Sequence, residues 1–114
     1  MYYIYMVRCS DDSIYTGIAA DLGRRLREHT EKAPTAAKYT RSRQVETLEM
    51  AWTAEDRSAA SRLECAIKRL PRQKKLQLIA APQRMAELLP QLNDRDYTPL
   101  NSLSLADWVK GETQ

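Results

Sequence analysis

Two short runs rich in aromatic and β-branched residues, Tyr2-Tyr3-Ile4-Tyr5-Met6-Val7 and Ile14-Tyr15-Thr16-Gly17-Ile18, stand either side of the polar tetrapeptide Ser10-Asp11-Asp12-Ser13. Such residues favour a pleated, half-buried surface, and the polar break supplies a reversal, so the pattern predicts an N-terminal β-hairpin. With the turn centred near Asp11, Tyr5 comes close to Tyr15 and Gly17 on the neighbouring strand, and two phenols approach one patch. Period-2 alternation puts Tyr3 and Tyr5 on one face and Ile4 and Met6 on the other.

The hairpin is followed by helical spacing. Asp21 is a suitable N-cap, and residues 22–29 favour a short helix with Leu22 and Leu26 one turn apart. Arg25 and His29 stand at i and i+4 on one side of it, with Arg24 and Arg27 elsewhere around the axis. Residues 30–43 lack an apolar period and read as a loop. Residues 45–52 alternate as a third strand, and Thr53-Ala54-Glu55-Asp56 signals the start of a long helix running to about Leu70. Ala60, Leu63, Ile67 and Leu70 form its buried stripe, with Glu64 at the stripe's edge. Pro71 breaks this helix, and a short basic one follows at 72–80. From about Asn93 the chain is expected to be loosely ordered, apart from a small helix at 103–109 anchored by Trp108.

The chain has 114 residues, enough for one hydrophobic core. Its two cysteines, Cys9 and Cys65, and one histidine have no zinc-ligand spacing, and both thiols are expected to be buried and reduced. No apolar run approaches the roughly 18 to 20 residues that span a bilayer, and the N-terminus carries no cleavable signal pattern. A cytoplasmic protein is therefore expected. The net charge of +3 is unevenly spread: residues 24–75 hold 14 Lys or Arg against 7 Asp or Glu, while the segments on either side are acidic. A basic middle of this kind suits a polyanion, whose condensed counterions are released on binding.

Strand, turn, strand, helix, strand, long helix, with a tyrosine on each of the first two strands, resembles the GIY-YIG nuclease domain. Its first motif is matched by Tyr3-Ile4-Tyr5 and its second by Tyr15-Thr16-Gly17. Tyr3 replaces the glycine and Thr16 the isoleucine of the family name. Arg25, ten residues beyond the second tyrosine, matches the family's arginine; His29, four further on, its His or Tyr; and Glu64, on the long helix, its glutamate. The Lys-Tyr-Thr-Arg segment at 38–41 and the Ala-Ile-Lys-Arg-Leu helix end at 66–70 are similar to the small single-domain bacterial type. An asparagine that some members place beyond the glutamate has no match, and residues after about Pro82 lie outside the resemblance. The expected division is a nuclease-like domain at 1–82 and a C-terminal extension, partly helical or loosely ordered, at 83–114.

The resemblance implies an α/β fold of the α+β kind, a small, mainly antiparallel three-stranded sheet flanked by helices. It also implies a phosphodiester hydrolase: a magnesium- or manganese-dependent endonuclease acting on DNA, nonspecifically or by structure, with DNA repair as a natural setting. Glu64 would anchor one ion, because magnesium keeps several waters and needs few protein ligands. Arg25 would hold phosphoryl oxygens with its planar fork. Tyr5 would accept a proton, Tyr15 orient water or phosphate, and His29 assist in proton transfer or hold Tyr5. An ordinary phenol, with a pKa of about 10, is a poor base at neutral pH and needs a nearby cation or metal-bound water. Lys38, Tyr39, Arg41, Arg43, Lys68, Arg72, Lys74 and Lys75 are candidates for tracking the phosphate backbone. The small size leaves no separate base reader and assigns targeting to a protein partner. Two rival readings are a binding module of the same fold without turnover, and a protein-interaction domain docking through Trp108 and the proline-bearing tail.

Overall fold

The computed structural model describes residues 1–31, 44–101 and 104–110. Strands β1 (Tyr2–Cys9) and β2 (Ile14–Ala19) form the expected hairpin. Its turn is closed by Cys9 N–H donating to Ser13 O at 2.9 Å, and Asp12 sits at φ 68° in the left-handed region, which Asp tolerates better than most residues. Helix α1 (Leu22–Thr30) follows, then β3 (Val45–Ala54), the long helix α2 (Arg57–Arg69) and the basic helix α3 (Arg72–Ala80). Asp21 and Asp56 cap α1 and α2 by accepting from Arg24 N–H at 3.1 Å and Ala59 N–H at 2.8 Å. Beyond Pro82 come the single-turn helix α4 (Met85–Leu88), strand β4 (Tyr97–Pro99) and helix α5 (Leu105–Lys110).

The sheet is antiparallel and mixed with helices as expected, but it has four strands, in the order β2-β1-β3-β4. The extra strand is three residues long and ends in Pro99, so no alternation announces it. It lies along the end of β3, pairing Tyr97 with Ala54 and Pro99 with Trp52. Tyr97 is buried, and its hydroxyl donates to Ala59 O of α2 at 2.7 Å.

Two apolar layers sandwich the sheet. Ile4, Met6 and Trp52 face α2, which contributes Ala60, Leu63 and Ile67, with Leu78, Met85, Leu89 and Tyr97 closing that side. Tyr5, Val7 and Ala51 face the other way, onto Leu22 and Leu26 of α1, and Leu105 and Trp108 of α5 pack at the margin. The alternation expected along β1 thus separates two cores. Trp108 meets Tyr3 edge-on, with ring centroids 5.9 Å apart. Cys9 is buried as expected; Cys65 is exposed, because it turns away from the Ala60–Leu63–Ile67 stripe of its helix. Among the described residues, no helix is long and apolar enough to cross a membrane.

Substituting Tyr97→Phe keeps the packed ring and removes its hydrogen bond to α2. We expect a loss of about 1 kcal/mol in urea unfolding at unchanged m-value; an unaltered midpoint would show that the bond contributes nothing.

Candidate active site

The β1–β2 register sets Tyr5 directly opposite Gly17. The phenol then crosses the space where a side chain would stand: a Cβ on Gly17 would lie 2.6 Å from Tyr5 Oη, 2.8 Å from Tyr5 Cζ and 3.1 Å from Tyr15 Cε2. Glycine is required here by the ring that occupies its place, not by the backbone angle. Beyond Gly17 the Tyr5 hydroxyl meets His29 Nε2 at 2.7 Å. The rings of Tyr5, Tyr15 and His29 form a triangle with centroid separations of 6.3, 5.7 and 5.5 Å.

Helix α1 supplies the histidine because Leu22 and Leu26 seat one of its faces in the core, which turns His29, one turn past Arg25, inward. His29 is fully buried. Burial, and then the positive charge of Arg25, bring its pKa down to about 4, partly offset by Glu28, so the imidazole is neutral at pH 7. Burial and the neighbouring Tyr15 push the Tyr5 phenol well above its ordinary range; Arg25 opposes this through charge and hydrogen bonding, and Glu64 adds to it. With both groups neutral, the Tyr5 hydroxyl donates and Nε2 accepts.

Arg25 is partly buried, and its Nη1 donates to Glu28 Oε1 at 3.0 Å. Arg24 Nε lies 3.7 Å from the other oxygen of the same carboxylate. Sequence reasoning passed over Glu28, although an acid three and four residues after two arginines is a recognisable helical pairing pattern.

Glu64 arrives from the opposite layer. Helix α2 covers the Ile4 and Met6 face of the sheet, whereas Tyr5 and Tyr15 face α1. The layers come together at β2, the edge strand. There Lys68 Nζ lies 3.4 Å from Glu64 Oε2 and 6.0 Å from the centroid of the Tyr15 ring. Tyr5, Tyr15, His29 and Arg25 therefore form one contiguous group, and Glu64 acts on it through charge and through Lys68. Among the described residues no three His, Cys, Asp or Glu side chains cluster as a metal cage. The donor set is one carboxylate, which suits a largely hydrated magnesium and does not suit zinc or calcium.

Of the residues expected to track phosphates, Lys68 is paired with Glu64, and Arg72 Nη2 holds Asp12 Oδ2 of the hairpin turn at 2.9 Å. Asp12 also pairs with Arg8 at 2.7 Å. Lys74 is exposed and Lys75 half-buried on α3. Lys38, Tyr39, Arg41 and Arg43 lie outside the described residues. Thr16, standing where the family name has isoleucine, is buried, and its hydroxyl has no hydrogen-bond partner among the described residues.

The family model for the GIY-YIG catalytic domain matches residues 1–77. This chain belongs to the GIY-YIG family, a nuclease family whose substrates are nucleic acids. It is similar to the UPF0213 protein of Fusobacterium nucleatum subsp. nucleatum, with 43% identity over 81 residues, covering 71% of this chain and 79% of that protein. The UPF0213 protein of Haloquadratum walsbyi is 47% identical over 77 residues, which is 68% of this chain and 84% of the relative. The solution NMR structure of a UPF0213 protein from Bacillus halodurans is 35% identical, covers 82% of this chain and 98% of its own, and superposes with a TM-score of 0.48.

Two outcomes follow from this packing. In Gly17→Ala the new methyl competes with a buried ring, and overpacking of this kind costs about 1–3 kcal/mol; the Tyr5 hydroxyl resonance should lose its coupling to His29, and an intact bond would contradict the account. His29 has a folded-state pKa below its unfolded value of about 6.5, so the unfolded chain binds the proton more readily. Stability is then full above about pH 6.5 and is lost as pH falls toward 4. Urea midpoints should decline across that window in the wild type and decline less in His29→Gln; parallel profiles would refute a buried neutral histidine.

Proposed function

We propose that this chain is a divalent-metal-dependent endonuclease that hydrolyses DNA phosphodiester bonds, selecting by backbone or by structure and not by base sequence. The observation that carries the reading is the contiguous group of Tyr5, His29 and Arg25 at a sheet edge, within electrostatic reach of the Glu64 carboxylate. A binding surface needs positive charge. It gains nothing from a buried phenol–imidazole pair or from a carboxylate beside the phosphate position.

Glu64 is the residue that would hold magnesium or manganese, giving up Lys68, whose ammonium is half exposed and can turn to solvent or phosphate. When bound there, the ion would acidify a coordinated water and neutralise phosphoryl charge. The Arg25 guanidinium has five N–H donors, more than its bonds to Glu28 and Tyr5 use, and it would present the others to charge developing on the phosphoryl oxygens. The Tyr5 oxygen accepts a proton from the attacking water as its own proton passes along the 2.7 Å hydrogen bond to His29 Nε2. That transfer is unfavourable before substrate binds, because burial, and then the charge of Arg25, bring the His29 pKa down to about 4. A phosphate docked on Arg25 offsets the second of these causes and leaves the first, so substrate binding restores part of the imidazole's basicity. Tyr15, tilted against Tyr5 and edge-on to His29, orients the phosphate or the water.

Lys74 and Lys75 of α3 extend the phosphate-binding surface, and Arg72 and Lys68 join it by exchanging their carboxylate partners for phosphates. Targeting to a particular DNA is left to a protein partner.

The test is a cleavage assay with the full chain on supercoiled plasmid and on single-stranded, duplex, flap and junction DNA, with magnesium, manganese or EDTA. Metal-dependent nicking is expected, falling about 100-fold or more in Arg25→Ala and similarly in Glu64→Gln, with DNA binding retained in the latter. Wild-type rates in either variant would end the site assignment. Salt-sensitive binding with no cleavage under any metal would favour the binding module instead.

A further inference from the structure

An acid beside the arginine that must receive a phosphate needs explaining. Glu28 lies on α1 three residues after Arg25 and four after Arg24, and it is mostly buried, its side chain 19% exposed. One oxygen accepts from Arg25 Nη1 at 3.0 Å, while the other faces Arg24 Nε at 3.7 Å. The carboxylate therefore cancels one of two positive charges where a polyanion is to bind. For affinity alone this placement is counterproductive.

The geometry points to Glu28 as a positioning residue, which braces the Arg25 guanidinium through one nitrogen and so fixes the direction in which its other N–H groups meet a phosphoryl oxygen. This inference rests on the phosphodiester-hydrolase reading of the site. Arginine has a long flexible stem and a planar head with five donors. Without the bond to Glu28, the head of Arg25 would lose one of its fixed points and sample more directions, of which few present two donors to one phosphoryl group. Catalysis is sensitive to such misplacement, whereas simple attraction of phosphate is not. The tie to Glu28 trades some attraction for direction. Arg24, mostly exposed and paired with the carboxylate only at 3.7 Å, can attract the backbone without a fixed geometry.

A brace and a simple surface ion pair predict different effects. Removing a brace lowers turnover while binding holds or tightens, because a negative charge has gone. Removing a structural ion pair weakens both together or neither.

Glu28→Gln and Glu28→Ala are compared with the wild type in the full chain. Single-turnover cleavage is read on plasmid DNA with magnesium, and affinity on a fluorescein-labelled duplex in EDTA. The Nε–Hε signal of Arg25 is followed by 15N NMR. The expected result is a fall in cleavage rate of about 10-fold in Glu28→Gln, which keeps one acceptor oxygen, and about 100-fold in Glu28→Ala. Affinity should be unchanged or several-fold tighter, and the Arg25 signal sharp in the wild type and broadened in Glu28→Ala. Unchanged cleavage in both variants overturns the inference, as does affinity falling in step with rate. If Glu28→Ala does not fold, the near-isosteric Glu28→Gln decides by the same rate and affinity criteria. Should the wild type cleave no DNA, the nuclease reading fails by itself; the Arg25 signal then judges the brace, its persistence in Glu28→Ala refuting it and its loss upholding it.

Discussion

The site depends on one hydrogen bond, from a buried phenol to a buried imidazole across a position that has no side chain. Burying either polar group alone would cost several kcal/mol; together they satisfy one another at 2.7 Å. Making that bond requires three separate structural achievements. The hairpin must pair in the register that sets Tyr5 against Gly17, since a one-residue slip would turn the phenol to the opposite face. Helix α1 must be seated by Leu22 and Leu26 and capped by Asp21, so that His29 points inward. Position 17 must be empty.

The same burial creates a conflict between stability and chemistry. It holds Tyr5 protonated and His29 neutral, a stable resting state in which the imidazole is a weak base. Arg25 sits at the centre of the conflict: its charge eases ionisation of the phenol and opposes protonation of the imidazole. On the proposed reading, a phosphate held by Arg25 would offset that charge and so change the proton affinity of the pair.

Much of this was legible in the sequence, for definite physical reasons. The hairpin, helix α1 with its Asp21 cap, the start of α2 and the separation of Tyr3 and Tyr5 from Ile4 and Met6 follow from local pattern, and the structure has them all. Long-range contacts left no such trace. Strand β4 is too short to alternate, and exists because Tyr97 fits beside Ala54 and bonds to Ala59. The pairing of Arg72 with Asp12 joins residues sixty positions apart, so a residue read as simply basic is tied to the hairpin turn. Trp108, read as a possible docking anchor, packs on Tyr3, and the tail that carries it also supplies core through Tyr97. Glu28 went unread for another reason: its pattern is local, but an acid among expected phosphate ligands runs against the charge argument.

The edge of the sheet reconciles the two layers. Glu64 and Arg25 stand on helices that cover opposite faces, and between interior strands the sheet itself would keep their charges apart. At β2, the edge strand among the described residues, Lys68 from one layer reaches both Glu64 and the ring of Tyr15 from the other. Tyr5 belongs to β1, one strand in, and gains the edge only by lying across Gly17. A side chain at that position would confine the phenol to the interior, away from Glu64 and from any phosphate approaching along the edge. The glycine therefore decides whether groups from two layers share one site or remain two unrelated pairs.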